Sequence, residues 1–191
     1  AAWYEKRRPQ ILEWYKDDQF GHAPPAPRQL HSDVFDRGTL CYGGRVLRKQ
    51  VTVYLTKDTS GVRMDLLMYL PAHASGPVPV LLTPGFFPNS SRVDDPGVRR
   101  GLLWNRDHQR VPAPGKSPFG GFDVIQLTTQ GFGVAMVYYG DIEPDFAGGS
   151  PYGVEGAYLK PGQSRPAPRE WGTIAAWAWG LSRAMDYLQT D

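Results

Sequence analysis

The sequence of 191 residues has one cysteine, no long apolar run and almost no excess of charge. A lone Cys41 cannot form an intrachain disulfide, nor a zinc site built from several cysteines. No segment approaches the roughly 18 consecutive apolar residues that a membrane-spanning helix needs. Lysine and arginine number 21 against 19 aspartates and glutamates, which gives a net charge of +2. This balance predicts neither a nucleic acid nor a membrane as a partner.

Apolar and turn-forming residues are abundant. The apolar fraction is 41% and the aromatic fraction is 13%, which is enough for a hydrophobic core and excludes general disorder. The 22 glycines and 18 prolines indicate many turns and long loops, and they show no collagen-like period. The length predicts one domain or a large part of one.

The hydrophobic pattern predicts an antiparallel hairpin followed by parallel strands. A β-branched, partly alternating segment over 45–56 and a return segment over 62–70 flank a turn at 57–61. Two nearly continuous apolar runs, 78–83 and 134–139, are typical of strands covered on both faces.

Helices are predicted around these strands, over 9–20, 122–130 and 170–190. The first has a proline in its first turn and a glycine just beyond its end. A long loop rich in glycine and proline is predicted over 85–121. The order of elements is that of an α/β sheet that becomes parallel after an antiparallel start.

The pattern predicts that the sheet is incomplete over these residues. Apolar strands of this kind need neighbours, because an open apolar edge favours aggregation. The last predicted helix has an apolar stripe of Trp171, Ile174, Ala178, Leu181, Met185 and Leu188. Trp179 and Tyr187 lie off this stripe, so one sheet face would not cover both sides, and Gly180 indicates close packing. We therefore expect 1–191 to be the N-terminal portion of a single domain, with 1–40 forming a helix and proline-rich extension that wraps the core.

The residues predict no catalytic group, metal site or cofactor site in this chain. Ser164 and Ser182 match a G-x-S-R string, but no strand precedes Ser164 and Pro166 follows it. Ser182 lies inside the predicted last helix, whereas a hydrolase nucleophile lies on a strand-to-helix turn. The histidines lie in predicted loops without metal-ligand spacing; they are His22, His31, His73 and His108.

Two loops that follow apolar strands are the candidate functional segments. The first, 83–89, lies where α/β hydrolases supply one N–H to the oxyanion hole; alternatively, it is only a loop packed by its two phenylalanines. The second contains Asp141, Glu143 and Asp145. Three carboxylates at the end of a strand suit a metal or an acid/base pair. We favour the alternative that they order the loop through caps, turns and ion pairs.

Several sequence strings resemble the glucuronoyl esterases of carbohydrate esterase family 15 (CE15). Two strings are long and specific, YYGDIEPDF at 138–146 and EWGTIAAWAWGLSRAMDYL at 170–188. RPQIL at 8–12, DPGV at 95–98 and FFPN at 86–89 also look like that family. The resemblance touches both ends of the chain and most of its middle.

The resemblance implies an α/β-hydrolase three-layer sandwich, of which this chain would be the N-terminal half. It implies hydrolysis of esters that join the glucuronic acid of xylan to lignin alcohols, by a serine, a histidine and an acid, with an arginine beside the serine holding the oxyanion. The family's G-x-S-R-x-G-K motif follows the helix that ends in DYL, so these groups would lie beyond Asp191. Phe86, Phe87 and Asn89 carry over as one wall of the substrate cleft, on its oxyanion side.

The resemblance also implies the partners and the location. The substrate would be glucuronoxylan or another lignin–carbohydrate ester, and the C-terminal half of the same domain would complete the enzyme. The single cysteine fits bacterial members, and the family is largely secreted or periplasmic. Two alternatives stay open, a non-catalytic carbohydrate-binding protein on the same fold and a sister acetyl or methyl esterase.

Overall fold

Residues 2–117 and 121–191 are described by the computed structural model, and most of their strands form one mixed sheet. In chain order the strands are β1 (His31–Cys41), β2 (Val46–Tyr54), β3 (Arg63–Pro71), β4 (Val80–Gly85), β5 (Leu102–Trp104), β6 (Arg110–Pro112) and β7 (Gly133–Tyr138). The sheet has the order β1-β2-β3-β7-β4, and β5 and β6 form a separate hairpin.

The topology confirms the predicted change from antiparallel to parallel pairing. β1, β2 and β3 form an antiparallel meander, and β3 pairs antiparallel with β7. β4 and β7 pair in parallel. The loop predicted over 85–121 instead contains β5 and β6, and its residues 118–120 lie outside the described part of the chain.

Helices cover the sheet and begin the chain. The helices are α1 (Arg8–Tyr15), α2 (Val124–Thr129), α3 (Tyr139–Ile142) and α4 (Thr173–Leu188). Two π-helical turns extend α1 at its ends, Trp3–Arg7 and Lys16–Phe20. Short 3₁₀ turns occupy Asn89–Ser91, Ser150–Tyr152 and Val154–Tyr158. The predicted helices over 9–20, 122–130 and 170–190 are therefore present with different bounds. α2 begins at Val124 because the Asp123 carboxylate caps it, accepting the Gln126 N–H at 2.9 Å. Among the described residues, no helix combines the length and the hydrophobicity of a membrane span.

Two hydrophobic clusters lie on opposite faces of the sheet, which gives three layers. On one face Ala135 and Val137 of β7 belong to the cluster that includes α4. On the other face Val134 and Met136 belong to the cluster that includes α2. β7 is buried along its whole length, as predicted from its continuous apolar run.

β4 differs from the prediction that it is covered on both faces. Among the described residues β4 has one strand neighbour, β7, so it lies at the edge of the sheet. Val80 and Leu81 are 36% and 45% exposed. An exposed apolar edge strand is a site where another strand can pair.

The buried face of α4 also differs from the predicted stripe. Ile174 and Met185 are exposed, whereas Trp179 and Tyr187 are buried. The reason is a close approach at Gly180, where an added Cβ would lie 2.6 Å from the Ile142 side chain. Both sides of the helix are apolar in sequence, so periodicity alone could not select the side that packs on the sheet.

The N-terminal segment contains a strand that the sequence analysis missed. β1 begins at His31 and its residues are mostly exposed and polar. Its register with β2 shifts twice, between Val34 and Asp36 and between Asp36 and Thr39. These irregularities remove the alternation by which a half-buried strand is recognised.

Candidate functional site

The loops that follow β4 and β7 meet at one edge of the sheet. β4 ends at Gly85, which pairs with Tyr138 at the end of β7, so both parallel strands point their carboxyl ends the same way. Phe86 follows immediately and its side chain is 74% exposed. The Phe86 ring lies edge-on to the Tyr139 ring, with centroids 5.6 Å apart. The structure therefore brings the two predicted segments together at the edge where open α/β sheets bind ligands.

The rest of the first loop points inward. Phe87 is half-buried and Asn89 is buried. The Asn89 side-chain amide donates to the Asp65 carbonyl oxygen at 2.8 Å, which ties the loop to β3. The Asn89 Oδ1 atom is buried and has no hydrogen-bond partner among the described residues. Of the three residues predicted to form the cleft wall, Phe86 is the one that faces solvent.

Arg92 packs beneath the start of this loop. Its guanidinium occupies the space beside Gly85, where an added Cβ would lie 2.5 Å from it. It also lies over the Phe122 ring, 5.1 Å from the ring centroid. Burial lowers the pKa of Arg92 to about 10, so the group remains a cation at neutral pH.

Asp141 is held by an arginine of the β5–β6 hairpin. Arg110 donates to the Asp141 carboxylate at 2.5 Å and to the Gly140 carbonyl oxygen at 2.8 Å. Burial raises the pKa of Asp141 to about 6, although the Arg110 charge favours the ionised form. This ion pair fastens the hairpin to the residues that follow β7.

Glu143 and Asp145 have different surroundings from Asp141. Glu143 is 1% exposed, and its carboxylate accepts the backbone N–H of Glu155 at 2.9 Å. Burial raises the pKa of Glu143 to about 8, and the nearby Glu155 charge adds to the rise. Asp145 is exposed. Within the described ranges these three carboxylates do not bring their oxygens together as a metal site would require.

A different trio in the described residues, Glu13, Asp17 and His22, has ligand atoms within 4.8 Å of one another. All three are exposed and already have protein partners. The His22 ring nitrogen lies 2.9 Å from Asp17, and Lys16 donates to Glu13 at 3.3 Å. The His22 contact lowers the pKa of Asp17. These contacts explain the trio as side-chain hydrogen bonding within the N-terminal segment, and we assign no metal to it.

The β5–β6 hairpin adds Trp104, which the sequence analysis missed, and His108, which it placed in a loop without a role. The Trp104 indole N–H donates to the Gly140 carbonyl oxygen at 2.8 Å, and the Trp104 ring lies edge-on to Phe146 at 5.4 Å. The His108 ring stacks on Phe146 at 3.9 Å. Strands of three residues carry too short a pattern to be recognised, and the one signal was a tryptophan and a histidine within a loop rich in glycine and proline.

The two serines that match a G-x-S-R string do not lie on a nucleophile turn. The Ser182 hydroxyl donates to the Ala178 carbonyl oxygen at 2.9 Å inside α4. Ser164 lies on an exposed loop that no strand precedes.

Comparison with known proteins finds solved structures that share this architecture. No protein-family model matches the chain. A carbohydrate esterase, MZ0003, from an unknown prokaryotic organism is 34% identical over 198 residues, which cover 99% of this chain and 45% of that protein. The structure of a glucuronoyl esterase from Solibacter usitatus superposes with a TM-score of 0.90 at 41% identity, over 100% of this chain and 49% of that one. The fold of the chain matches that of the N-terminal half of a CE15 esterase.

A third relative is similar along the same stretch of this chain. A promiscuous CE15 esterase from a marine bacterial metagenome superposes with a TM-score of 0.76 at 31% identity, over 99% of this chain and 49% of that one. The chain thus spans about half the length of each of these relatives. In this chain, the exposed aromatic loops gather at the carboxyl ends of β4 and β7, beside the open edge of β4.

Proposed function

We propose that this chain acts within a bacterial glucuronoyl esterase, which hydrolyses esters between the glucuronic acid of xylan and lignin alcohols. The observation that carries this proposal is the match to the Solibacter usitatus glucuronoyl esterase along the whole chain, at 41% identity and a TM-score of 0.90. A fold alone does not determine function, but here the similarity extends through the loops that form the candidate site. We place the protein outside the cytoplasm, secreted or periplasmic, where plant polysaccharide is accessible.

The C-terminal half of the same domain would provide the reacting groups. Residues 1–191 then form the N-terminal portion of that domain, and the open edge of β4 is the place for the next strand. Val80 and Leu81 leave apolar surface there that a paired strand would cover. The nucleophile turn of such a strand would lie next to the loop that begins at Phe86.

In the proposed reaction a serine hydroxyl attacks the ester carbonyl carbon while a histidine takes its proton. The histidine then returns that proton to the departing alcohol, and the uronoyl group remains on the serine. Water repeats the sequence and releases the uronic acid. The loop after β4 would offer backbone N–H groups to the oxyanion, with Phe86 as one wall of the cleft and Asn89 fixing the loop to β3.

The test is hydrolysis of benzyl glucuronate by the complete domain, with the chain of residues 1–191 as a matched control. We expect release of glucuronic acid by the complete domain and no turnover by the 191-residue chain. Turnover of acetyl esters but not of the glucuronate ester would instead establish a sister esterase. Tight binding of xylo-oligosaccharides without turnover of either ester would establish a carbohydrate-binding protein and overturn the proposal.

A further inference from the structure

A patch of aromatic rings lies beside the candidate cleft and has no role in the proposed ester chemistry. We define the aromatic patch as Trp104, His108, Phe146 and Tyr152. The Trp104 ring lies 5.4 Å from Phe146 and 5.9 Å from Tyr152, and the His108 ring lies parallel to Phe146 at 3.9 Å, with an interplanar angle of 4°. Tyr152 is 61% exposed and His108 is also exposed. The patch therefore presents aromatic surface to solvent.

The patch is fixed to the same edge of the sheet as Phe86. Both the Trp104 indole N–H and the Arg110 guanidinium donate to the Gly140 carbonyl oxygen, each at 2.8 Å. Gly140 directly follows Tyr139, whose ring contacts Phe86. Phe86 and the aromatic patch thus both contact one short segment after β7.

The turn between β5 and β6 holds the His108 ring in place. His108 has a left-handed backbone with φ of 58°, a conformation that is uncommon for a residue other than glycine. The Asn105 side-chain oxygen accepts the N–H groups of Asp107 and Gln109, both at 2.9 Å. A turn that glycine would suit better is therefore occupied by a residue whose ring stacks on Phe146. A fixed ring loses little conformational freedom when it binds a partner.

We propose that the aromatic patch binds sugar rings of the xylan main chain, next to the glucuronate whose ester is cleaved. The electron-rich face of an aromatic ring attracts the C–H groups on one face of a pyranose. Exposed polar residues adjoin the patch in sequence, namely Arg106, Asp107 and Asp145, and they suit the hydroxyls at the rim of a sugar. This mixture fits a carbohydrate better than the apolar surface of a second protein. The inference rests on the proposed function, because it extends the substrate of the same site.

The experiment compares two substrates in the complete domain. Tyr152→Ala removes a ring that is 61% exposed. His108→Gly removes a second exposed ring while suiting the left-handed turn. Trp14→Ala is the matched control, since Trp14 is 58% exposed on α1. We expect the two patch variants to raise KM for a glucuronoylated xylo-oligosaccharide ester by about three- to tenfold. The kcat/KM for benzyl glucuronate and the Tm should not change, and the control should match the wild type.

Two results would overturn the assignment. One is an unchanged KM for the oligosaccharide ester in both patch variants. The other is a fall in Tm with equal loss on both substrates, which would show that the C-terminal half packs on the patch. If the wild type hydrolyses neither ester, the proposed function fails. Titration with xylohexaose then tests by itself whether the aromatic patch binds the sugar. Binding that Tyr152→Ala weakens would uphold the patch, and an absence of binding would refute it.

Discussion

Gly21 joins the N-terminal segment to the residues just before α4 by a contact of backbone on backbone. Gly21 has φ of 76°, and an added Cβ would overlap the Glu170 carbonyl oxygen and lie 2.8 Å from the Trp171 Cα. Backbone hydrogen bonds flank this contact, from the His22 N–H to Arg169 at 2.9 Å and from the Gly172 N–H to Phe20 at 3.0 Å. A methyl group at Gly21 should therefore separate the two segments.

The magnitude of this effect follows from two contributions. A left-handed alanine costs about 1 kcal/mol relative to glycine. Loss of the two flanking hydrogen bonds adds about 1 kcal/mol each. We expect Gly21→Ala to lower the free energy of unfolding of the complete domain by about 3 kcal/mol, measured by urea denaturation. We also expect faster proteolysis within the segment that precedes β1.

Gly162→Ala is the matched control, because Gly162 has φ of 84° and open space where its Cβ would lie. This variant should lose only the conformational contribution of about 1 kcal/mol. Equal losses in the two variants would show that the close approach at Gly21 contributes nothing, and the reasoning would be wrong.

Three further predictions concern the residues around the strand ends. Burial raises the pKa of Glu143 to about 8 from 4.5, so the unfolded chain releases this proton at a lower pH than the folded chain does. The free energy of unfolding should therefore fall as the pH rises from about 5 to 8, by at most about 1.4 kcal/mol per pH unit. Glu143→Gln should flatten that slope in a denaturation series, and an unchanged slope would contradict the raised pKa of Glu143. Phe86→Ala should reduce kcat/KM for esters of aromatic alcohols more than for methyl esters. The Tm should not change, because the ring is 74% exposed. An equal decrease in kcat/KM for both esters would argue against a contact between Phe86 and the alcohol. Arg110→Met leaves the Asp141 carboxylate without its cation. The free energy of unfolding should fall by about 3 kcal/mol at pH 8 but by less at pH 5, where Asp141 is protonated. A decrease that is independent of pH would show that packing and not charge dominates.

The sequence predicted the centre of the sheet well and its periphery poorly. The continuous apolar run that became β7 can satisfy no environment except one covered on both faces. β1 escaped notice because an edge strand needs no buried face, and its bulged register removes the alternation. The packing side of α4 was wrong because the choice depends on Gly180 meeting Ile142, which lies in a distant part of the chain.

The candidate site was likewise predicted only in part from the sequence. The two loops after β4 and β7 were predicted, because residues that end adjacent parallel strands must lie together whatever their side chains are. The direction in which each side chain points could not be predicted. Asn89 turns inward because β3 offers it a carbonyl oxygen, whereas Phe86 has no buried position within this chain. The contact of Trp104 with Phe146 depends on a hairpin whose strands are too short to leave a pattern.

The open edge of β4 and the exposed Phe86 have one physical explanation in the proposed enzyme. Val80 and Leu81 expose apolar surface on a strand whose other side is fully paired with β7. A strand added there would cover that surface and, running parallel to β4, would end beside Phe86. The reacting serine would then face a loop that β3 already holds through Asn89. Catalysis by differential binding needs such a wall to be rigid before the substrate arrives, and a loop anchored within this chain meets that need without help from the other half.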